Sequence, residues 1–279
     1  PIFSTEFYQP ITADRKWFFA PTARADVRNL AVLNGEVRIG EMRVRRGEFG
    51  VDLGRQLGNF GELRAGLRRS SGSSNVHIGD PADPRLASTR FHSGEYFYRF
   101  SYDRLDNLDF PRQGAQFSLQ WNAARTDLGA DIGSDRVEGN FLWATSRGRN
   151  TYLFWASGGA TLDSKAASLQ NFYSLGGLFN LSGVAPAALT GPHYGIARAI
   201  YFRKIGRGGE GFLNVPAYLG ASIEVGNVWQ QRSDASFSNT RKDFSLFLGL
   251  DTLIGPLYLG AGFDNGGRNA YYLLLGRTF

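Results

Sequence analysis

The chain has 279 residues, a net charge of +6, a sequence pI near 9.6 and a mean hydropathy of −0.26. It contains no cysteine, which excludes disulfides, iron-sulfur clusters and cysteine nucleophiles. No run approaches the roughly 18 apolar residues of a membrane-spanning helix, and basic residues alternate with acidic ones, unlike the one-sided basic stripe of a nucleic-acid binder. Its 36 glycines and 14% aromatic residues indicate an all-β protein with many turns.

The N-terminal third begins without targeting features and then alternates between apolar and charged residues. The opening residues, PIFSTEFYQP, have neither a basic n-region nor an apolar h-region, so we expect any signal peptide to have been removed or to lie upstream. Further on, Trp17, Phe19 and Val27 share one face of a period-two pattern, opposite Arg24 and Asp26. This alternation predicts strands with one apolar and one charged face.

Two alternating arms around a polar turn form the clearest predicted hairpin. On the first arm Tyr96, Tyr98 and Phe100 share a face, and Phe97 is the exception on the opposite, polar face. The second arm, AQFSLQWNAA, alternates in the same way.

The same pattern recurs along the chain and predicts about thirteen strands, among which lengths of about nine to twelve residues dominate. They lie near 2–9, 16–29, 40–55, 61–70, 93–104, 113–125, 135–147, 150–161, 193–205, 213–229, 242–253, 256–264 and 269–279.

Two architectures produce such alternation: a soluble sandwich or barrel with apolar faces inward, and a transmembrane barrel with apolar faces outward. Three features favour the transmembrane barrel: the strand length, the oppositely charged polar faces, and connections that alternate between very short and long. The long connections run from Ser70 to His92 and from Leu162 to Pro192. We therefore predict an all-β fold, a transmembrane antiparallel β-barrel that occupies 1–279 as a single domain.

The turn YDRLDNLDFPRQG resembles the periplasmic turn of the outer-membrane insertase and translocator superfamily, the bacterial surface antigen family. The residues that match its pattern are Asp103, Asn107, Phe110, Pro111 and Gly114. Later segments, ASIEVGNVWQ and GLDTLIGPLYLGAGF, also resemble strands of that family, so the similarity covers most of the chain from about residue 95 onward. The resemblance implies a sixteen-stranded barrel in the bacterial outer membrane.

The resemblance also implies a role for the long loop around NFYSLGGLFNLSGV. In the family this loop folds into the lumen, and an Arg in its Val-Arg-Gly-aromatic tip pairs with an Asp of a later strand. Here the tip aligns as Leu181, Ser182, Gly183 and Val184, and the acid as Glu224. Because Ser182 replaces the Arg, we expect a neutral hydrogen bond to Glu224 in place of an ion pair.

Further residues complete the predicted plug. Leu175, Gly176 and Gly177 are expected to lie with the tip inside the lumen, where the glycines allow a tight fold-back. Arg198 is our candidate for a basic partner of Glu224 on the lumen wall.

The sequence LGGLFNLSG…LTGPHYGIARAIYFRKI most closely resembles the C-terminal translocator barrel of patatin-like, type Vd autotransporters. This similarity implies secretion or display of a fused upstream patatin-like lipase. It also implies contact with lipid bilayer, lipopolysaccharide, the secreted passenger and the barrel-assembly machinery, which would read the terminal Phe279. A homodimer is compatible with it.

No catalytic or metal-binding pattern competes with this interpretation. His77, His92 and His193 lack metal-ligand spacing, and no Gly-x-Ser-x-Gly elbow occurs, so we expect no cofactor, no metal and no enzymatic activity in this chain. Three other functions stay open: an outer-membrane insertase, a passive porin and a soluble β-sandwich binding module. Upstream domains would separate the first from a translocator, because several POTRA repeats favour assembly and a fused patatin domain favours secretion.

Overall fold

A computed structural model describes residues 1–34, 37–163, 171–206 and 215–276, with the backbone alone at positions 33, 34, 37 and 38. Its strands are β1 Ile2–Glu6, β2 Gln9–Pro10, β3 Trp17–Asn34, β4 Val37–Leu57, β5 Gly61–Ile78, β6 Thr89–Asp103, β7 Gly114–Ala124, β8 Ser134–Arg147, β9 Asn150–Thr161, β10 Tyr173–Leu175, β11 Leu189–Gly191, β12 His193–Lys204, β13 Ala217–Trp229, β14 Arg241–Thr252, β15 Gly255–Asp264 and β16 Asn269–Leu275. Short 3-10 turns occur at Pro84–Leu86, Thr126–Leu128, Arg232–Asp234 and Phe237–Asn239.

The sheet is antiparallel, and neighbours in sequence are neighbours in space. Its path runs from β1 to β3 and then in order to β9, passes directly to β12, and continues in order to β16, while β2 pairs with β3. Each predicted strand corresponds to one strand of this path, so the predicted strand pattern is confirmed for the described residues. Between β9 and β12 in the chain, β10 and β11 pair with each other in a separate two-stranded sheet.

Four strands are clearly longer than predicted, among them β6, which begins at Thr89 and not near 93. β3, β4 and β5 have 18, 21 and 18 residues, and the predicted loop from Ser70 to His92 is reduced to 79–88. That prediction was wrong because SSGSSN carries no apolar alternation, whereas ladder pairing needs only backbone groups. Ser70 pairs with Glu48 and Ser74 with Val44 in the β4–β5 ladder.

The two faces of the wall differ as the membrane-barrel hypothesis requires. On β13 Ser222 and Glu224 point into the lumen and are buried, whereas Leu219 and Ile223 point outward and are 55% and 64% exposed. The same outward exposure of large apolar side chains recurs on other strands: Phe49, Leu53, Leu67, Tyr98, Trp143, Tyr152, Phe244, Leu246, Tyr271 and Leu273. A wall with an apolar outer face and a polar lumen is typical of a transmembrane β-barrel. Among the described residues, no helix is long and apolar enough to span a bilayer.

Phe97, the exception in the predicted alternation, lies inside the lumen. Its ring is fully buried, and the guanidinium of Arg68 lies 3.6 Å from its centroid. Gly66, opposite Phe97 in the β5–β6 register, leaves the space that the ring fills. An aromatic residue is thus accommodated on the charged face through a cation-π contact.

Candidate functional site

Residues 171–192, which precede β12, fold into the lumen and form the candidate site. We refer to residues 171–192 as the lumen loop and to 181–184 as its tip. The ends of the loop are held together by the β10–β11 pairing, in which Ser174 lies opposite Thr190. Most of the loop is buried, including Leu178, Phe179 and the predicted plug residues: Leu175, Gly176, Gly177, Leu181, Ser182, Gly183 and Val184. A soluble fold would expose such a segment, whereas the barrel interior covers it.

The backbone of the lumen loop turns tightly. Gly176 and Gly177 have φ of 121° and 108°, and two bulky residues, Phe179 and Leu181, also take positive φ, at 61° and 70°. Such φ values are costly for side chains with a Cβ and persist only where surrounding contacts impose them. Two hydrogen bonds close the turn, from Gly176 N to Asn180 O at 2.7 Å and from Gly177 N to Val184 O at 2.9 Å.

The tip donates hydrogen bonds to two carboxylates of the wall. Ser182 donates from its backbone N to Glu224 Oε2 at 2.7 Å and from its hydroxyl to Glu224 Oε1 at 2.5 Å. Gly183 N donates to Asp243 Oδ2 at 2.7 Å. Successive backbone N–H groups that follow a left-handed residue form an anion-binding concavity, and Leu181 is that residue here. The tip therefore binds the acidic wall without a basic side chain.

The acceptors belong to a lateral row of lumen side chains that we call the docking row. It comprises Arg198, Glu224, Asp243 and Asp264, which lie directly opposite one another on β12, β13, β14 and β15. Gly183 packs against Asp264 so closely that a Cβ on the glycine would overlap the Asp264 backbone. Arg268 pairs with Asp264 at 2.6 Å, so cations occupy both ends of a row with three acids.

Arg198, the predicted basic partner of Glu224, donates a hydrogen bond to the lumen loop instead. It lies opposite Glu224 in the register, but its Nη2 donates to Asn180 Oδ1 at 2.7 Å and its Nη1 to Ser157 Oγ at 3.2 Å. Its guanidinium stacks on Trp155, 3.7 Å from the ring centroid. In the described part of the chain no hydrogen bond joins Arg198 to Glu224, whose oxygens accept from Ser182 and Ser222. The direct pairing is therefore not formed, because the loop itself supplies the donors.

Tyr272 on β16 is a loop contact that the sequence did not indicate. Its hydroxyl lies 2.6 Å from Ser182 O and 3.0 Å from Val184 O, so it can donate to either carbonyl. The alternation of β16 places Tyr272 on the lumen face, but nothing in the sequence relates it to the tip. It connects the lumen loop to the last strand of the sheet path.

Removing this hydroxyl should loosen the tip. Because the chain has no cysteine, a single Cys introduced at the buried Val184 reports loop displacement through its maleimide labelling rate. We expect Tyr272→Phe to accelerate labelling about tenfold, since an unsatisfied buried carbonyl costs about 1–3 kcal/mol. Tyr271→Phe is the matched control because that ring faces outward. Equal labelling rates in the two variants would contradict the role of Tyr272.

Below the lumen loop, aromatic rings from the wall and one turn form what we call the aromatic floor. Phe110, from the turn between β6 and β7, stacks on Tyr218 with ring centroids 4.3 Å apart and also contacts Phe202 and Tyr258. Phe179 of the loop packs edge-on against Tyr258 from the other side. The floor therefore joins the turn motif to the lumen loop.

The other residues of the turn motif shape the backbone that presents Phe110. Asn107 Oδ1 accepts from the backbone N of Phe110 at 2.9 Å, and Asp103 Oδ1 accepts from Leu105 N at 2.9 Å. Gly114 has φ of 107° and lies against the carbonyl of Arg104. Pro111 is buried beside Phe110. Asx-type hydrogen bonds and a positive-φ glycine are the ordinary means of fixing a turn.

The remaining candidates are distributed around the barrel. Thr190 donates to Ala31 O at 2.6 Å, which attaches the lumen loop to β3. His77 lies 3.8 Å from Glu41 and His92 3.6 Å from Asp131. The described residues contain no group of His, Cys, Asp or Glu arranged to hold a metal ion. Phe279 lies outside the described residues.

The fold is similar to solved structures, although no sequence relative was found. No protein-family model matches the chain, and no curated protein sequence matches it either. The structure is similar to the crystal structure of BamA from Haemophilus ducreyi lacking POTRA domains 1-3, with a TM-score of 0.75 and 12% identity over 98% of this chain. The fold is that of a BamA-type β-barrel.

A second structure supports the same architecture at a lower similarity. CdiB from Escherichia coli gives a TM-score of 0.56 with 12% identity over 94% of this chain. The chain spans 60% of the BamA structure and 48% of the CdiB structure.

Proposed function

We propose that this chain is the β-barrel translocator of a type V secretion protein in the bacterial outer membrane. In this role it secretes or displays a passenger fused upstream, of the patatin-like lipase class. The barrel carries out no chemical conversion, so any lipase activity belongs to the passenger. The observation that carries the proposal is the buried lumen loop, whose Ser182 and Gly183 bind the docking row.

Two features suggest how the resting barrel opens. The tip is held to the wall by hydrogen bonds and packing, without an ion pair. A polypeptide that enters the lumen can therefore replace these hydrogen bonds one after another and displace the loop. In addition, Tyr272 ties the tip to β16, while β1 pairs with β3 over only five residues. Displacement of the loop would therefore release β16 from the tip, and the end strands β1 and β16 offer edges where a passenger strand could add.

An outer-membrane insertase is the second candidate. The observation that favours it is the greater similarity to BamA than to CdiB, with TM-scores of 0.75 and 0.56. A passive porin is less well supported, because a pore constricted by charge does not need the apolar packing of the loop residues Leu178 and Phe179 against the wall.

Protease access to intact cells tests the translocator proposal. We expect the segment upstream of Pro1, expressed with this barrel, to be cleaved by external protease while a periplasmic marker stays protected. The insertase alternative predicts a protected upstream segment and lower levels of other folded outer-membrane barrels after depletion. That result would overturn the translocator proposal.

Single-channel conductance tests the plug separately. Deleting Leu175 to Pro192 should increase conductance, since the segment fills the interior next to the docking row. Unchanged conductance after this deletion would refute the plug and leave the secretion assay unaffected.

A further inference from the structure

The lumen contains two adjoining cavities on the side away from the acids of the docking row. They have volumes of about 350 Å³ and about 410 Å³ and share lining residues Arg28, Arg46, Arg136 and Glu138. The smaller cavity, which we call the chamber, is closed on one side by the lumen loop between Asn171 and Leu175. Its volume is within the range of small-molecule binding sites.

The chamber is strongly basic. Four of its lining residues are arginines, namely Arg28, Arg46, Arg136 and Arg198, and one, Glu138, is acidic. The adjoining cavity adds Arg24 and Arg68 together with Asp26, Glu48 and Glu95. Across both cavities six arginines face four carboxylates, an excess of two positive charges.

Several donors of these arginines are not used by the protein. Arg198 is only 3% exposed, and its Nε has no hydrogen-bond acceptor; the buried Nε of Arg46 also lacks one. Arg136 reaches Glu95 only at 3.5 Å, the limit of a hydrogen bond. Glu138, the acid of the chamber, already accepts from the Tyr194 hydroxyl at 3.0 Å. Buried guanidinium groups without full partners are costly, and an anion would relieve that cost.

The lumen loop adds neutral lining groups to the chamber. Burial raises the pKa of Tyr173 to about 12, so its side chain adds no negative charge at neutral pH. Leu175 and Phe172 add apolar groups to the lining on the loop side. A low-dielectric surface around several guanidinium groups strengthens their attraction for an anion.

We propose that the chamber binds a compact multivalent oxyanion of the phosphate class. Planar guanidinium forks match phosphate oxygens in geometry as well as in charge. This site goes beyond the proposed secretion role: its arginines come from β3, β4, β8 and β12, and the lumen loop lines one side of it.

Calorimetric titration of the detergent-solubilised protein with pyrophosphate tests the site. We expect binding that weakens with added salt and that weakens about tenfold or more in Arg136→Gln, the equivalent of losing one charge-assisted hydrogen bond. Arg28→Gln should weaken binding in the same way if Arg136→Gln fails to fold. Arg99→Gln is the matched control, because Arg99 belongs to the charged face of β6 but lines neither cavity. Absence of binding, or equal losses in Arg136→Gln and Arg99→Gln, would overturn the proposal.

A competition experiment identifies the source of the phosphate group. If diphosphorylated lipid A displaces pyrophosphate from the wild type, a lipid headgroup can reach the chamber. If it does not, the ligand is soluble. Either result supports the oxyanion site provided that binding depends on Arg136, and lipid A binding that survives Arg136→Gln would contradict it.

Discussion

Glu224→Ala should release the tip of the lumen loop. The Glu224 carboxylate accepts hydrogen bonds from Ser182 N, Ser182 Oγ and Ser222 Oγ, at 2.7, 2.5 and 2.6 Å, and is fully buried. Removing it leaves three buried donors to find other acceptors, each at a cost of about 1–3 kcal/mol. We expect labelling of a Cys at Val184 to accelerate by about 100-fold or more, because labelling follows the population of the displaced loop.

The control for Glu224→Ala removes another lumen carboxylate that does not touch the tip. Glu138 accepts from Tyr194 on the wall, so Glu138→Ala should leave labelling at Val184 nearly unchanged. Glu224→Gln should lie between the wild type and Glu224→Ala, because its amide retains one acceptor oxygen. If Glu224→Ala and Glu138→Ala labelled at the same rate, the loop would be held by apolar packing alone.

The sequence predicted the wall of the barrel well because the wall follows a local rule. Period-two alternation depends only on whether each side chain faces lipid or lumen, so residues such as Leu219 and Glu224 reveal their faces without knowledge of the fold. Strand ends were less predictable, since Ser70 and Ser74 pair through backbone groups that any sequence offers. Phe97 broke the pattern because its partner, Arg68, is on a neighbouring strand.

Inside the barrel the contacts join residues far apart in sequence, and there the sequence was less informative. The family resemblance indicated that Ser182 would contact Glu224. That Gly183 N donates to Asp243 becomes evident only from the register of β13 and β14. Tyr272 contacts the tip across 90 positions of sequence. Such contacts depend on how the strands are aligned around the lumen, a property that no local pattern contains.

Phe110→Ala should destabilise the barrel by opening its aromatic floor. The Phe110 ring is 2% exposed and packs against Phe202, Tyr218 and Tyr258, which belong to three different strands. Truncating a buried Phe typically costs about 3–5 kcal/mol, and the residual cavity here would lie directly beneath the loop. We expect a lower thermal unfolding midpoint in detergent and faster labelling at Val184, since Phe179 loses support from below through Tyr258.

Phe60→Ala separates the packing of the floor from a general effect of losing an aromatic ring at a turn. Phe60 belongs to the turn between β4 and β5, is 40% exposed, and contacts Arg104 and Tyr102 instead of the floor. It should therefore change the unfolding midpoint little and leave Val184 protected. Phe110→Leu, which keeps apolar volume without stacking, should recover part of the stability. If Phe110→Ala and Phe60→Ala lowered the midpoint equally, the turn motif would act only by shaping its own hairpin, and the link between that turn and the lumen loop would be lost.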